Sequence, residues 1–284
     1  MSIPRLGAWA LAGLISAAAA AGEGDTAPTL TADQIVEKNV AARGGLEAWR
    51  KIQTMVWTGH IEIGKPSAAT VAFVLEYKRP NKMRFETKGD HEQSVRVFDG
   101  AAGWTTRTSG SGAPTLKRYS RSELRSARDA QGIGGLLIDH QARAIAVALD
   151  GPDEVEGHRA YRLAVTLPSG SIRHVWVDAQ TFLDLKYDRE SRLSGGRVGT
   201  VSLFYRDWRT IDGLQLPMTI ETGAAGGKAA ERMVIDKVTL NPSLSDAHFE
   251  RPDAPERRNA QPGLRSAVPA GGDALHVANS ERGR

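Results

Sequence analysis

Cysteine is absent from the chain. That excludes disulfides, thiolate metal sites and cysteine nucleophiles together. It also excludes the acylated N-terminal cysteine of a bacterial lipoprotein, so an exported form of this chain is expected to be released and not lipid-anchored. Histidine is scarce and scattered: His60, His91, His140, His158, His174, His248 and His276 form no HxxxH or HExxH spacing, which removes a helix-borne zinc pair. No GxSxG elbow is present. Gly223–Lys228 has a faint phosphate-loop look, but its glycine spacing is one residue short and Ala229 stands where a hydroxyl is required. Charge of one sign is not concentrated either. The formal net charge is only +4, with Lys and Arg alternating with Asp and Glu. A nucleic-acid surface needs a concentrated basic stripe to displace counterions, so no nucleic-acid partner is expected.

What is there reads as a globular domain behind an export signal. Hydrophobic residues make up 40% and charged residues 25% of the 284, ordinary values for a chain with a packed core. Arg5 is the only charge before Gly22. An apolar run over residues 6–21 follows and ends in Ala19-Ala20-Ala21, a small-residue cleavage pattern. The run is short and alanine-rich for a bilayer span. Residues 1–21 are therefore expected to be a signal peptide cleaved near Ala21, with 22–30 a linker and the mature protein periplasmic.

Thr31-Ala32-Asp33-Gln34 is a capping-box pattern. Ile35, Val36, Val40, Leu46 and Trp49 then recur at helical spacing. Gly44-Gly45 divides the segment into helices over about 31–43 and 46–52. From Thr54 the period becomes two: Met55, Trp57, Gly59, Ile61 and Ile63 alternate with Val56, Thr58, His60 and Glu62. Similar runs start at Val71, Met83, Val95 and Trp104, then at Val155, Ile172, Leu183, Thr200, Leu216 and Arg232, with turn residues such as Asp99-Gly100 and Asp212-Gly213 between them. Alternation over successive hairpins predicts an antiparallel sheet of about eleven strands with one dry face. Strands at this spacing suit a sheet curling into a barrel or half-barrel. Residues 120–145 interrupt it. Ser120 and Glu123 form a second capping box, and Gly132–Ile138 is glycine-rich and then apolar, which predicts one or two helices joined by a mobile turn. The tail, 253–284, has no period and is expected to be disordered.

Acidic clusters, Asp153/Glu154/Glu156 and Asp188/Glu190, are the only hint of hydrolytic chemistry. Solvated strand faces carry such pairs routinely. Trp57, Phe73, Tyr77, Phe85 and Tyr161 lie on the apolar phase of their strands. They are core or the lining of a cavity; on the concave face of a curled sheet the two overlap.

The stretches Thr31–Lys38, Arg43–Trp49 and Thr54–Ile63 resemble the LolA-like class of outer-membrane lipoprotein-sorting proteins. So do Arg79–Arg84, Phe98-Asp99-Gly100, Trp176–Thr181 and Tyr205–Arg209 through Leu216-Pro217. The likeness covers residues 31–252, and none of these phrases is a catalytic signature. It implies a mainly β, α+β fold: an unclosed antiparallel β-barrel with a helical lid over an apolar concave face. It implies no cofactor, no metal, no catalytic residue and no enzyme. The expected function is to carry an acylated lipoprotein or lipid towards the outer membrane, between an inner-membrane transporter and an outer-membrane acceptor. The expected contacts are Trp57, Ile61, Phe73, Leu75, Phe85, Leu163 and Val165 from the sheet and Leu136, Leu137 and Ile138 from the lid. An alternative is an envelope-stress or regulatory module of the same fold that binds a peptide or membrane regulator. An envelope hydrolase is the third.

Overall fold

A computed structural model of the chain describes residues 30–252 apart from 65–69, 131, 193–197 and 225–228. The expected signal peptide, almost all of the linker, the Gly226-Gly227 turn and the C-terminal tail lie outside the described residues.

The chain enters through two short helices, α1 (Ala32–Ala42) and α2 (Leu46–Arg50). The capping box fixes where α1 starts: the Thr31 amide donates to Gln34 Oε1 at 2.9 Å, and the Gln34 amide to Thr31 Oγ1 at 3.3 Å. The helix buries Ile35, Val36 and Asn39. Gly44 ends it at φ +106, where a Cβ would lie 2.4 Å from the Gly213 carbonyl oxygen, so the turn needs glycine for both backbone and space.

Among the described residues, thirteen strands follow in one antiparallel sheet. The first six are β1 (Thr54–Ile63), β2 (Thr70–Lys78), β3 (Lys82–Lys88), β4 (Glu92–Phe98), β5 (Gly103–Ser109) and β6 (Thr115–Arg118). Helix α3 (Arg121–Arg128) and an irregular segment lead to β7 (Ala146–Val155), β8 (His158–Thr166), β9 (Ile172–Asp178) and β10 (Asp184–Arg192). Then come β11 (Val198–Ile211), β12 (Leu214–Ala224) and β13 (Ala229–Leu240). Each half is a meander. The halves join where β13 pairs with β1, from Met55↔Leu240 to Ile63↔Glu231. The order is β6-β5-β4-β3-β2-β1-β13-β12-β11-β10-β9-β8-β7, so β6 and β7 are edges and the barrel is not closed. At the β1–β13 junction the register shifts between Thr58 and Gly59. A Cβ on Gly59 would lie 2.0 Å from the Val234 carbonyl oxygen, so a bulge and a glycine together let the sheet bend there.

Two strands were not expected. β6 is four residues of TLKR, too short to show a period. β7 contains Gly151 and Pro152 and has a register shift between Leu149 and Gly151. Proline is tolerated because β7 is an edge strand, with no further neighbour needing its N–H. Of the one or two helices expected in the insert, the described residues hold one, α3, and residues 133–144 form successive turns instead of a second. Gly134 (φ +91) and Gly135 (φ +80) account for this, because consecutive left-handed residues cannot propagate a right-handed helix. These turns fold inward as a plug: Ile133, Leu136, Leu137 and Ile138 are all buried. Ile133 and Ile138 pack in the main core with Trp49, Met55, Phe73, Leu214 and Leu216.

A final short turn of 3-10 helix, Asp246–Phe249, buries Phe249 and clips onto the sheet. Asp246 Oδ1 pairs with Lys78 (2.8 Å) and Lys82 (3.0 Å), and His248 Nε2 lies 2.7 Å from Glu76 Oε2.

Candidate functional site

Side chains from β1, β2, β3, β4, β9, β10, β11, β12 and β13 all face one cavity of about 300 Å³. Strands so far apart in the sheet can share a cavity only because the sheet curls. The cover comes from α3, through Glu123, Ser126 and Ala127, and from the plug, through Ile133, Leu136 and Leu137. The apolar part of the lining includes Met55, Trp57, Leu75, Phe85, Val175, Leu203, Ile220 and Met233.

Of the ten expected contacts, five come together on this cavity: Trp57, Leu75, Phe85, Leu136 and Leu137. Ile61, Phe73 and Ile138 lie in the packed core, and Leu163 and Val165 are fully buried on β8. All five of these are buried, and none lines the cavity. Trp57 meets Tyr77 edge-on at 6.4 Å between centroids, and its Nε1–H is buried without a partner. Tyr77 also lines the cavity, and removal from bulk water pushes its hydroxyl up to about 12.

The polar part of the lining escaped sequence reasoning. Arg43, at the end of α1, reaches into the interior. Its Nη1 donates to the Gly134 carbonyl (2.8 Å) and to Asp184 Oδ2 (3.1 Å), while its guanidinium stacks near the rings of Trp49 (4.9 Å) and Trp208 (5.4 Å). Asn39 Nδ2 supplies Asp184 Oδ1 at 3.2 Å. Burial nevertheless holds the Asp184 carboxyl above its ordinary value, against the pull of Arg43 and Asn39. Arg50 pins the plug from outside with a two-pronged contact to Asp139, at 2.8 and 3.3 Å. Arg143 donates to the Gly135 carbonyl. Hydrogen bonding from Arg50 holds the Asp139 carboxyl below its ordinary value. Arg79 donates to the carbonyls of Ile52 (2.8 Å) and Trp49 (3.2 Å), and burial lowers its guanidinium.

Of the acidic clusters, Asp153, Glu156 and Asp188 are engaged by neighbouring side chains, Asp188 by Lys186 at 3.3 Å. Asp153 accepts from Trp176 Nε1 at 2.8 Å, and Glu156 pairs with Arg206 at 2.9 Å. No group of three His, Asp or Glu side chains among the described residues is placed to hold a metal ion.

Fold and site together define an open antiparallel half-barrel, plugged by the chain that links its two edges, around a mostly apolar cavity. Solved structures to which the chain is similar include a LolA superfamily protein from Nitrosomonas europaea. It is 16% identical, with 78% of this chain and 98% of that one covered at a TM-score of 0.49. A DUF1329 family protein from Desulfovibrio piger is 18% identical over 78% of this chain and 98% of that one, with a TM-score of 0.48. Neither figure carries anything about ligand or partner. No family model and no curated protein matches the chain.

Proposed function

We propose that this protein is a periplasmic carrier or binder of a hydrophobic, acylated ligand. The supporting observation is the cavity: about 300 Å³ of mostly apolar space between a curled sheet and a plug, at the lower end of the size range of small-molecule sites. An acyl chain in water forfeits about 0.8 kcal/mol per exposed CH₂, so a carrier must offer a dry slot. The chain would lie against Trp57, Leu75 and Phe85 under Leu136 and Leu137. The apolar N-terminal run supports export across an inner membrane. Cargo would then pass from an inner-membrane transporter to an outer-membrane acceptor, and a lipoprotein or a free lipid satisfies the same slot.

Native mass spectrometry with lipid extraction, on protein purified from a Gram-negative periplasm, tests this. Near-stoichiometric acyl species are expected, and stripping them should lower thermal stability until lipid is returned. A stable protein empty of lipid and indifferent to its addition would overturn the proposal. It would favour the regulatory module, for which the free edge of β6 offers a docking strand.

A further inference from the structure

We propose that the corner of the cavity at Arg173 and Arg189 is an anion subsite, which takes the carboxylate or phosphate head of an acyl amphiphile. This rests on the acyl-ligand reading above and narrows it from any apolar cargo to an anionic one.

The register places the two arginines together. On β9 and β10, Tyr187 pairs with Val175 and Asp188 with His174, so the next step along each strand sets Arg189 beside Arg173. Both line the cavity, and so do Val175 and Tyr187. Like charges opposite one another across a ladder repel. A folded sheet tolerates the pair at little cost only if negative charge compensates both.

The protein supplies one carboxylate. Asp129 Oδ2 lies 3.9 Å from Arg173 Nη2, at the limit of an ion pair. The same oxygen already accepts the Ser169 hydroxyl at 2.8 Å and the Ser171 hydroxyl at 3.2 Å. No carboxylate among the described residues pairs with Arg189. Among the described residues, the corner therefore holds two positive charges and one negative.

Arg173 is also under-satisfied as a donor. Its side chain is only 10% exposed, yet Nε is buried with no partner. Nη1 reaches the Ile172 carbonyl at 3.4 Å, and the side chain also hydrogen-bonds the Tyr187 hydroxyl, so the unmatched donor is Nε. A charged donor left unpaired inside a protein is costly, and buried ones are nearly always matched. A carboxylate or phosphate presents two acceptor oxygens at the spacing of the guanidinium fork. The field of both arginines is felt at the Tyr187 hydroxyl, where it opposes the upward push of burial.

The apolar lining continues from this corner. Tyr187 pairs with Leu203, and Ile220 pairs with Met233 on the neighbouring strands. A head group at the arginines thus leaves its chain on a continuous dry track over these residues.

The test compares ligands that share one chain and differ in head: oleate, oleoyl lysophosphatidate and neutral monoolein. Binding is read by displacement of the neutral dye N-phenylnaphthylamine from the full-length mature protein. At least one anionic ligand should bind about tenfold or more tightly than monoolein, the worth of one charge-assisted contact. A preference for oleate assigns a carboxylate, and a preference for lysophosphatidate assigns a phosphate. Arg189→Gln and Arg173→Gln should each remove the anion preference while leaving dye and monoolein affinity unchanged. Having the two variants keeps the test open if one of them does not fold. Equal binding of anionic and neutral heads by the wild type overturns the subsite. So does an Arg189→Gln variant that keeps the preference. Failure of the dye and of all three lipids to bind would instead sink the acyl-cavity reading itself.

Discussion

Arg43 and Asp184, from the end of α1 and the start of β10, meet at 3.1 Å in the interior of the protein, with side chains only 6% and 10% exposed. This pair links the helical entrance of the chain to the wall of the cavity, and through the Gly134 carbonyl to the plug. Removing one member leaves the other charge buried and unmatched. Arg43→Leu is therefore expected to destabilise the fold by about 3–5 kcal/mol. Arg43→Lys should recover only part of this, because an ammonium cannot reproduce the planar guanidinium's contacts with the rings of Trp49 and Trp208. Urea denaturation of the three proteins checks both statements, and a Lys variant as stable as wild type would refute the second.

Asp184 also sets a pH dependence. Its folded-state carboxyl sits above the ordinary value because burial outweighs Arg43. The folded state then binds the proton more tightly than the unfolded state. Stability contributed by this group is present at low pH and declines as pH rises through the window above the ordinary carboxylate value of about 4. The stability difference between wild type and Asp184→Asn should shrink or reverse over that window. A difference independent of pH would show that Asp184 titrates as an ordinary carboxylate.

Asp139 works in the opposite sense. Arg50 holds its carboxyl below the ordinary value, so this pin is intact above that value and lost as pH falls through the lowered one. Acidification below about pH 4, or Asp139→Asn at neutral pH, should loosen residues 132–145 before the sheet. Hydrogen exchange resolved by segment measures it. Faster exchange confined to β1 or β13 would mean that the contact does not anchor the plug.

Gly134 sits at φ +91, and a Cβ there would lie 2.9 Å from Ile138 Cβ. Both backbone and space are against a side chain. Gly134→Ala should cost more than about 1 kcal/mol, whereas alanine at Gly132, around which space is open, should cost less. Thermal melts of the pair decide it, and equal losses would argue that the plug adapts freely.

Two substitutions separate cavity from core. Leu137→Asp places a charge on the cavity roof and should abolish retention of bound lipid, with the far-ultraviolet circular dichroism of the sheet kept. Trp57 is half-buried, with its ring on the cavity and against Tyr77. Trp57→Ala should therefore cost less than the roughly 3–5 kcal/mol of a fully buried aromatic and should enlarge the site. A loss within that range would mean the ring is packed as core.

Most of the sheet was legible because the period of two is a direct imprint of one wet and one dry face. β7 was not, since Asp150-Gly151-Pro152-Asp153 breaks the period and only an edge position makes the sequence tolerable. The plug read as helix because its leucines and isoleucines signal burial, while the two left-handed glycines show themselves only in the backbone angles. On the dry face, alternation tells which way Ile61, Phe73, Leu163 and Val165 point, but not how far along the face side chains fill the space. Arg43 and Asp184, or Arg173 and Arg189, are brought together by register between separate elements. No local pattern announces that.

β6 and β7 are the two edges of the sheet and are also consecutive in the chain. The strip between them, which carries α3 and the plug, is therefore a strap fastened at both ends. Lifting it breaks no ladder hydrogen bond; on the carrier reading, admission of a guest works against side-chain packing, a few ion pairs and the side-chain hydrogen bonds at Gly134 and Asp129. The strap cannot swing clear as a hinged door would. Its slack is set by the number of residues it contains, and on the proposed carrier reading that length would act as a gauge on the girth of what can pass.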